Sequence, residues 1–150
     1  STTGKHRAPT ATHQRRWERI GGSIMRVVCP DDCGNAPRKG QLRDFNVALV
    51  TADASAAELM REDIQWEVVG QRRLVGPEAV CADLAAMAGP APQELHIHHI
   101  ITHGATAALH ATLTRADGSR LAYCDIYQFT GGSRSARLKH VTSYRLPLGG

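Results

Sequence analysis

Between Glu94 and Leu146 apolar and polar residues alternate over long stretches: Leu95 to His103, Thr106 to Arg115, Arg120 to Phe129 and Leu138 to Leu146. Each stretch reads as a β-strand, and Gly104, Asp117-Gly118 and Gly131-Gly132 punctuate them. Upstream the period changes. Leu42, Phe45 and Leu49, with Val47 and Ala48, form the apolar stripe of a helix that Asn35 can cap, Pro37 can start and Thr51 ends. Asp53 or Ser55 can cap a second, short helix through Leu59 and Met60. Ile64, Trp66 and Val68 then alternate with Gln65 and Glu67 in a strand that Gly70 ends, and Arg72 to Val75 returns beside it. Gly76-Pro77-Glu78 opens a third helix with Val80, Leu84 and Met87 on one side, and Gly89-Pro90-Ala91-Pro92 closes it. Helices come first and an antiparallel meander follows, so the pattern predicts an α+β fold with helices on one face of a curved sheet.

Residues 1–24 carry no sustained apolar period beyond the spacing of Trp17, Ile20 and Ile24, which suggests at most one short helix. They read as a flexible basic extension. Met25 opens the globular text and is a candidate native start, so residues 25–150 are expected to form one domain.

Composition narrows this picture without naming a function. Hydrophobic residues make up 42% and charged residues 21% of the 150, which suits a packed core. The formal charge of +4 raises the question of nucleic acid. However, Lys5, His6, Arg7, His13, Arg15, Arg16 and Arg19 crowd the start, with one aromatic, Trp17, among them and no reader motif. Nucleic acid is therefore not the expected partner. No run approaches the ~20 apolar residues that cross a bilayer, and the beginning lacks the apolar stretch of a secretory signal, so no membrane partner and a cytoplasmic location are expected. Cys29, Cys33, Cys81 and Cys124 do not make a disulfide scaffold and are expected to be reduced.

Candidate chemistry gathers on the last strands. If Asp117-Gly118 is a two-residue hairpin tip, Ala116 pairs with Ser119 and His110 stands opposite Asp125. Tyr123, Asp125, Tyr127, His110 and Thr112 would then share one face, with Leu109, Leu113, Cys124 and Ile126 on the other. A similar turn at Gly104-Ala105 sets His99 opposite His110, with Ile97 and Ile101 on the same face, and a one-residue slip substitutes His98. A carboxylate that orients an imidazole is a plausible acid–base pair, and the same two groups could equally be a cross-strand polar pair that fixes register. His96 and His98 point to one side of their strand and could chelate, but no further ligand is fixed near them. Cys29 and Cys33 would be half of a zinc site with no second half. No metal and no cofactor are expected.

The element order resembles the nuclear-transport-factor-2-like superfamily, and more narrowly its SnoaL-like branch of bacterial proteins. The residues that carry the resemblance are Asp63-Ile64-Gln65-Trp66-Glu67-Val68-Val69-Gly70, Gly76-Pro77-Glu78-Ala79-Val80, Tyr123-Cys124-Asp125-Ile126-Tyr127-Gln128-Phe129 and Val141-Thr142-Ser143-Tyr144. It covers about residues 35–147, and Asp32 to Lys39 resembles the entry of an uncharacterised bacterial subgroup. The resemblance implies a cystatin-like cone, in which about three helices pack on the concave face of a strongly curved antiparallel sheet. It also implies an internal pocket for a small molecule and a homodimer through the outer sheet face. Members include isomerases, dehydratases, cyclases, epoxide hydrolases and non-catalytic binders, so fold alone does not select the chemistry.

Asp125 matches the strand acid that donates to the oxyanion in the ketosteroid isomerases of this fold. Phe45 stands where their tyrosine would be and Val68 where their proton-moving aspartate would be, so that mechanism is not expected. Leu49 and Val50 occupy the place of the Tyr-Asp pair of scytalone dehydratase, which argues against that activity too. The expectation is a cofactor-independent acid–base enzyme for a small cyclic or carbonyl-containing metabolite. Asp125, His110 and His99 would be its catalytic residues, and Phe45, Leu49, Trp66, Val68, Tyr123, Tyr127 and Thr112 its pocket. The alternative is a non-catalytic ligand-binding or protein-interaction domain of the same fold.

Overall fold

The computed structural model describes residues 13–20, 23–31 and 36–149; residues 1–12, Cys33 and Asn35 lie outside them. Two strands, β1 (His13–Ile20) and β2 (Ser23–Pro30), precede helix α1 (Pro37–Val50) and a short 3-10 helix (Ala54–Leu59). Strands β3 (Met60–Val68) and β4 (Arg72–Val75), helix α2 (Pro77–Ala88) and strands β5 (Glu94–His103), β6 (Thr106–Thr114), β7 (Arg120–Phe129) and β8 (Leu138–Leu148) follow. The described strands form one eight-stranded curved sheet in the order β1-β2-β5-β6-β7-β8-β3-β4. The fold is the expected α+β cone, with the three helices on its concave side. Most pairings are antiparallel, but β2 joins β5 and β3 joins β8 in parallel.

Residues 13–24 depart from the sequence reading. Trp17 and Ile20 fall in β1 and Ile24 in β2, so the short helix suggested by their spacing is not formed. The period of two is visible once β2 is in place: Met25, Val27 and Cys29 are buried, and Arg26 donates its amide to the Gln93 carbonyl at 2.9 Å. Cys29 is disulfide-bonded, which corrects the expected reduced state, whereas Cys81 and Cys124 are free thiols.

The helices begin and end on short-range chemistry. Pro37 occupies the first turn of α1, but the N-cap is Ala36 and no side chain caps the helix. Asp53 caps the 3-10 helix by accepting the Ser55 amide at 2.9 Å. Gly76, with φ +89°, and Pro77 open α2 as the sequence suggests. Leu42, Phe45 and Leu49 of α1 are buried against the concave sheet face with Trp66, Ile97, Leu109 and Tyr127.

The turn between β6 and β7 decides which side chains enter that core. Arg115 donates to Ser119 O at 2.8 Å and Gly118 donates to Arg115 O at 3.0 Å, so the loop holds three residues, Ala116, Asp117 and Gly118. Gly118 takes φ +84°, a left-handed conformation that costs a glycine little. The extra loop residue shifts the pairing by one: Leu109 faces Asp125 and His110 faces Cys124. Because side chains alternate, the shift turns His110 and Thr112 outward while Asp125 stays inside. The β5–β6 turn is the expected two-residue loop and His99 does pair with His110. A bulge between Ile97 and His99 then leaves Ile97 inside and Ile101 outside, at 0% and 65% exposure, instead of on one face.

Candidate functional site

The concave face can be read as three rows of side chains. Trp66, Val141, Tyr127 and Ala107 make the first, Val68, Ser143, Asp125 and Leu109 the second, and Arg145, Tyr123 and Ala111 the third. Helix α1 covers these rows and inserts one polar side chain, Asn46. Its Nδ2 donates to Leu42 O at 2.8 Å and to the Tyr127 hydroxyl at 3.1 Å, and its Oδ1 accepts from the Tyr123 hydroxyl at 2.9 Å. The Tyr127 hydroxyl donates in turn to Asp125 Oδ2 at 3.1 Å. One directed chain of buried hydrogen bonds therefore runs Tyr123, Asn46, Tyr127, Asp125. Its direction leaves Asn46 no freedom to flip, because one end must accept and the other donate.

Asp125 is 1% exposed. Burial pushes its carboxyl up from 3.8 to about 6, against the hydroxyls of Ser143 and Tyr127 and the charge of Arg145, which favour the ionised form. Oδ1 is buried and has no hydrogen-bond partner among the described residues; neither has Trp66 Nε1. Burial, and next the nearby Asp125 charge, raise both the Tyr123 and Tyr127 hydroxyls well above the usual tyrosine value. The two tyrosines thus stay protonated donors while Asp125 changes charge near neutral pH.

A cavity of about 530 Å³ opens beside this chain, between α1, the 3-10 helix and the loop before β8. Gln41, Phe45, Ala48, Leu59, Arg134 and Ala136 are among its lining. The loop is held down by α1: Arg38 donates to Gly131 O at 3.2 Å and Ser133 O at 3.0 Å, lies 3.7 Å over the Phe129 ring, and Gln41 donates to Arg134 O at 3.1 Å. Phe45 touches the cavity on one side. On the other its ring meets Tyr127 edge-on at 6.4 Å and Trp66 at 6.2 Å. It is the partition between the cavity and the buried polar chain.

Of the residues expected at the site, Asp125, Tyr123, Tyr127, Phe45 and Trp66 come together. Val68 is core next to Ser143, and Leu49 is core that does not line the cavity of Phe45. His110, His99 and Thr112 are corrected: all three lie on the outer face, because of the register shift at Gly118 and the bulge before His99. There the imidazoles form a row, with ring centroids 4.1 Å apart for His96 and His98, 4.7 Å for His98 and His110, and 5.8 Å for His99 and His110. His98 Nε2 lies 2.8 Å from the Thr112 hydroxyl. Among the described residues, no three His, Cys, Asp or Glu side chains are grouped to hold a metal. The sequence reading missed Asn46. Its signal was a lone amide inside the apolar run Phe45 to Val50, in a helix interior that disfavours asparagine.

Several solved structures similar to this one are described as NTF2-like. An NTF-2 like protein of unknown function from Burkholderia xenovorans LB400 superposes with a TM-score of 0.62 at 16% identity, over 79% of this chain and 89% of that one. An NTF2-like protein of unknown function from Mesorhizobium loti gives 0.60 at 19%, over 80% and 98%. An LEH-like epoxide hydrolase of M. tuberculosis gives 0.54 at 23%, over 70% and 79%. These likenesses establish the fold. The sequence profile of the SnoaL-like domain matches residues 42–136, more than half of the chain, and the chain belongs to that family. A search of the curated proteins finds no match.

The raised carboxyl of Asp125 carries a sign for stability. Its folded value of about 6 lies above the unfolded 3.8, so its contribution is fully present below about pH 4 and is lost as pH rises through about 6. At about 1.36 kcal/mol per unit, the loss is on the order of 3 kcal/mol. Asp125→Asn keeps the shape and removes the titration. Urea unfolding of both proteins from pH 4 to pH 8 should show the variant gaining on the wild type by about that amount, and a constant difference across the range would refute the assignment.

Proposed function

We propose that this protein is a cofactor-independent acid–base enzyme acting on a small cyclic or carbonyl-containing molecule, with Asp125 as the group that takes up and returns the proton. The observation that carries the reading is the half-satisfied carboxylate. Tyr127 anchors Oδ2, Oδ1 is buried without a partner, and the group titrates at about 6, where both protonation states are populated near neutral pH. A reacting C–H, O–H or water that met Oδ1 would complete the hydrogen bonding of Asp125. Asn46 and the two tyrosines hold the carboxylate in place, and the apolar surroundings keep bulk water from levelling its basicity. His110 and His99 take no part, being on the other side of the sheet.

Substrate would occupy the cavity beside Phe45, and that ring must turn aside for the molecule to reach Asp125. Epoxides are the first cyclic molecules to test, since one similar structure is an LEH-like epoxide hydrolase. In such a hydration Asp125 takes a proton from water as the water oxygen bonds to a ring carbon, the ring C–O bond breaks, and the oxygen it frees receives that proton back from Asp125, which is left ionised for the next turnover. The partition at Phe45 also favours a second reading, a binding protein whose ligand stays in the cavity and never meets the acid. Incubation with a panel of small epoxides and cyclic ketones, followed by mass analysis, separates the two. The acid–base reading expects product, at least ~100-fold less from Asp125→Asn and an intermediate loss from Tyr127→Phe. Ligand recovered unchanged, or Asp125→Asn at full rate, contradicts it.

We further propose that two copies pair through the outer sheet face. Ile101, Ile126, Tyr144 and Leu146 are exposed there, at 65%, 40%, 53% and 64%. A two-fold contact sets the groups on its axis near their own copies, so a fixed charge at its centre would repel itself. The centre of this face, His110, Thr112, Cys124, Ile126, Thr142 and Tyr144, carries no Asp, Glu, Lys or Arg. Light scattering should give twice the monomer mass for the wild type and the monomer mass for Ile126→Glu; a wild-type monomer at micromolar concentration argues against the pairing.

A further inference from the structure

Arg145 is a buried charge for which the acid–base reading provides no task. Its side chain on β8 is 4% exposed, and its Nη2 lies 2.7 Å from Asp83 Oδ2 on α2, a carboxylate itself only 8% exposed. The other oxygen of Asp83 accepts from Arg72 Nε on β4, whose side chain is half exposed. Arg145 also belongs to the site. It stands opposite Tyr123 and two residues beyond Ser143, which stands opposite Asp125, so Arg145 and Asp125 are diagonal neighbours on the concave face. Arg145 Nε is buried with no partner among the described residues, as is Asp125 Oδ1. One buried cation thus lies between two acids, in contact with one and within electrostatic reach of the other.

Opposite charge favours the ionised carboxylate and like charge disfavours it, and both effects are strong where water is excluded. Acting on Asp125, Arg145 pulls toward the carboxylate. Asp83 screens that pull, and Arg72, at the solvent end, partly neutralises Asp83. The groups that face Asp125 leave few other controls. Tyr123 and Tyr127 are on its own strand, α1 offers uncharged Asn46, β6 offers Leu109, and Cys124 lies on the opposite face.

We propose that Arg145 and Asp83 are positioning residues that set, in opposite senses, how tightly Asp125 holds its proton, so that an ion pair between α2 and β8 fixes the working pH of the site. The proposal rests on the acid–base reading for its purpose, but its test needs no substrate. A merely structural ion pair behaves differently: losing either partner would loosen the packing, admit water and weaken proton binding by Asp125 in both cases.

The carboxyl carbon of Asp125 can be followed by NMR in the full-length protein labelled with 13C-aspartate, and assigned by its absence from Asp125→Asn. Asp83→Asn should lower the midpoint of its titration by about half a unit or more and Arg145→Gln should raise it by a similar amount, with Arg145→Lys near the wild type. Arg72→Gln, at the exposed end, should raise it slightly and is the variant that keeps the test decisive if a buried substitution does not fold. Shifts of the same sign for Asp83→Asn and Arg145→Gln, or an unmoved or lowered midpoint for Arg72→Gln, would overturn the proposal. If the shifts appear as stated while no substrate is turned over, the charge control stands and the acid–base reading fails.

Discussion

The three-residue turn at Ala116–Gly118 is the constraint on which the rest of the site depends. Side chains of a strand alternate between faces, so one residue more or fewer in that loop exchanges the buried and exposed sets of β6 against β7. With Gly118 in the left-handed conformation, Ala107, Leu109 and Ala111 face Tyr127, Asp125 and Tyr123 across the concave surface, and His110 goes to the convex one. The carboxylate is thereby enclosed by apolar strands and one helix. Its few polar contacts then carry unusual weight, because a carboxylate buried without partners would take up a proton and lose its charge.

From that enclosure the electrostatics follow. Desolvation raises the proton affinity of Asp125, while Tyr127, Ser143 and Arg145 restrain the rise, and the balance leaves the group near 6. Asn46 has a role out of proportion to its size. By accepting from Tyr123 and donating to Tyr127 it joins two strand residues through a helix, which ties the position of α1 to the orientation of the acid. Phe45, the next residue, belongs both to this packing and to the cavity wall. Recognition in the cavity and chemistry at Asp125 would therefore meet in one turn of α1.

Much of this was legible in the chain and some was not, for identifiable reasons. The apolar stripe Leu42, Phe45, Leu49 placed α1, and the alternation around Trp66 and along the last four strands placed most of the sheet. The resemblance supplied the curvature and closure of the cone, which periodicity does not contain. Register was not legible at one decisive point, because Asp-Gly suits a two-residue loop and also the last two places of a three-residue loop, as here with Asp117 and Gly118. The bulge at His98 was hidden too, since His98-His99 breaks the alternation only in the folded pairing. The β1–β2 hairpin escaped because β1 is strongly polar and because Ile24 and Val28 put apolar residues at the alternate positions of β2, which hides the period of Met25, Val27 and Cys29. Asn46 could have been flagged as a polar residue inside an apolar helix, but only the structure provides its two tyrosine partners.

Asp125 is proposed as the group that exchanges a proton with substrate, and the pH dependence of kcat/KM on whichever substrate the panel yields tests that role most directly. The rate should rise with pH to a plateau through a midpoint near 6, and Asp125→Glu should retain an acid limb at a displaced midpoint. A limb centred far from 6 that Asp125→Glu leaves unmoved would place the essential group elsewhere and contradict the account.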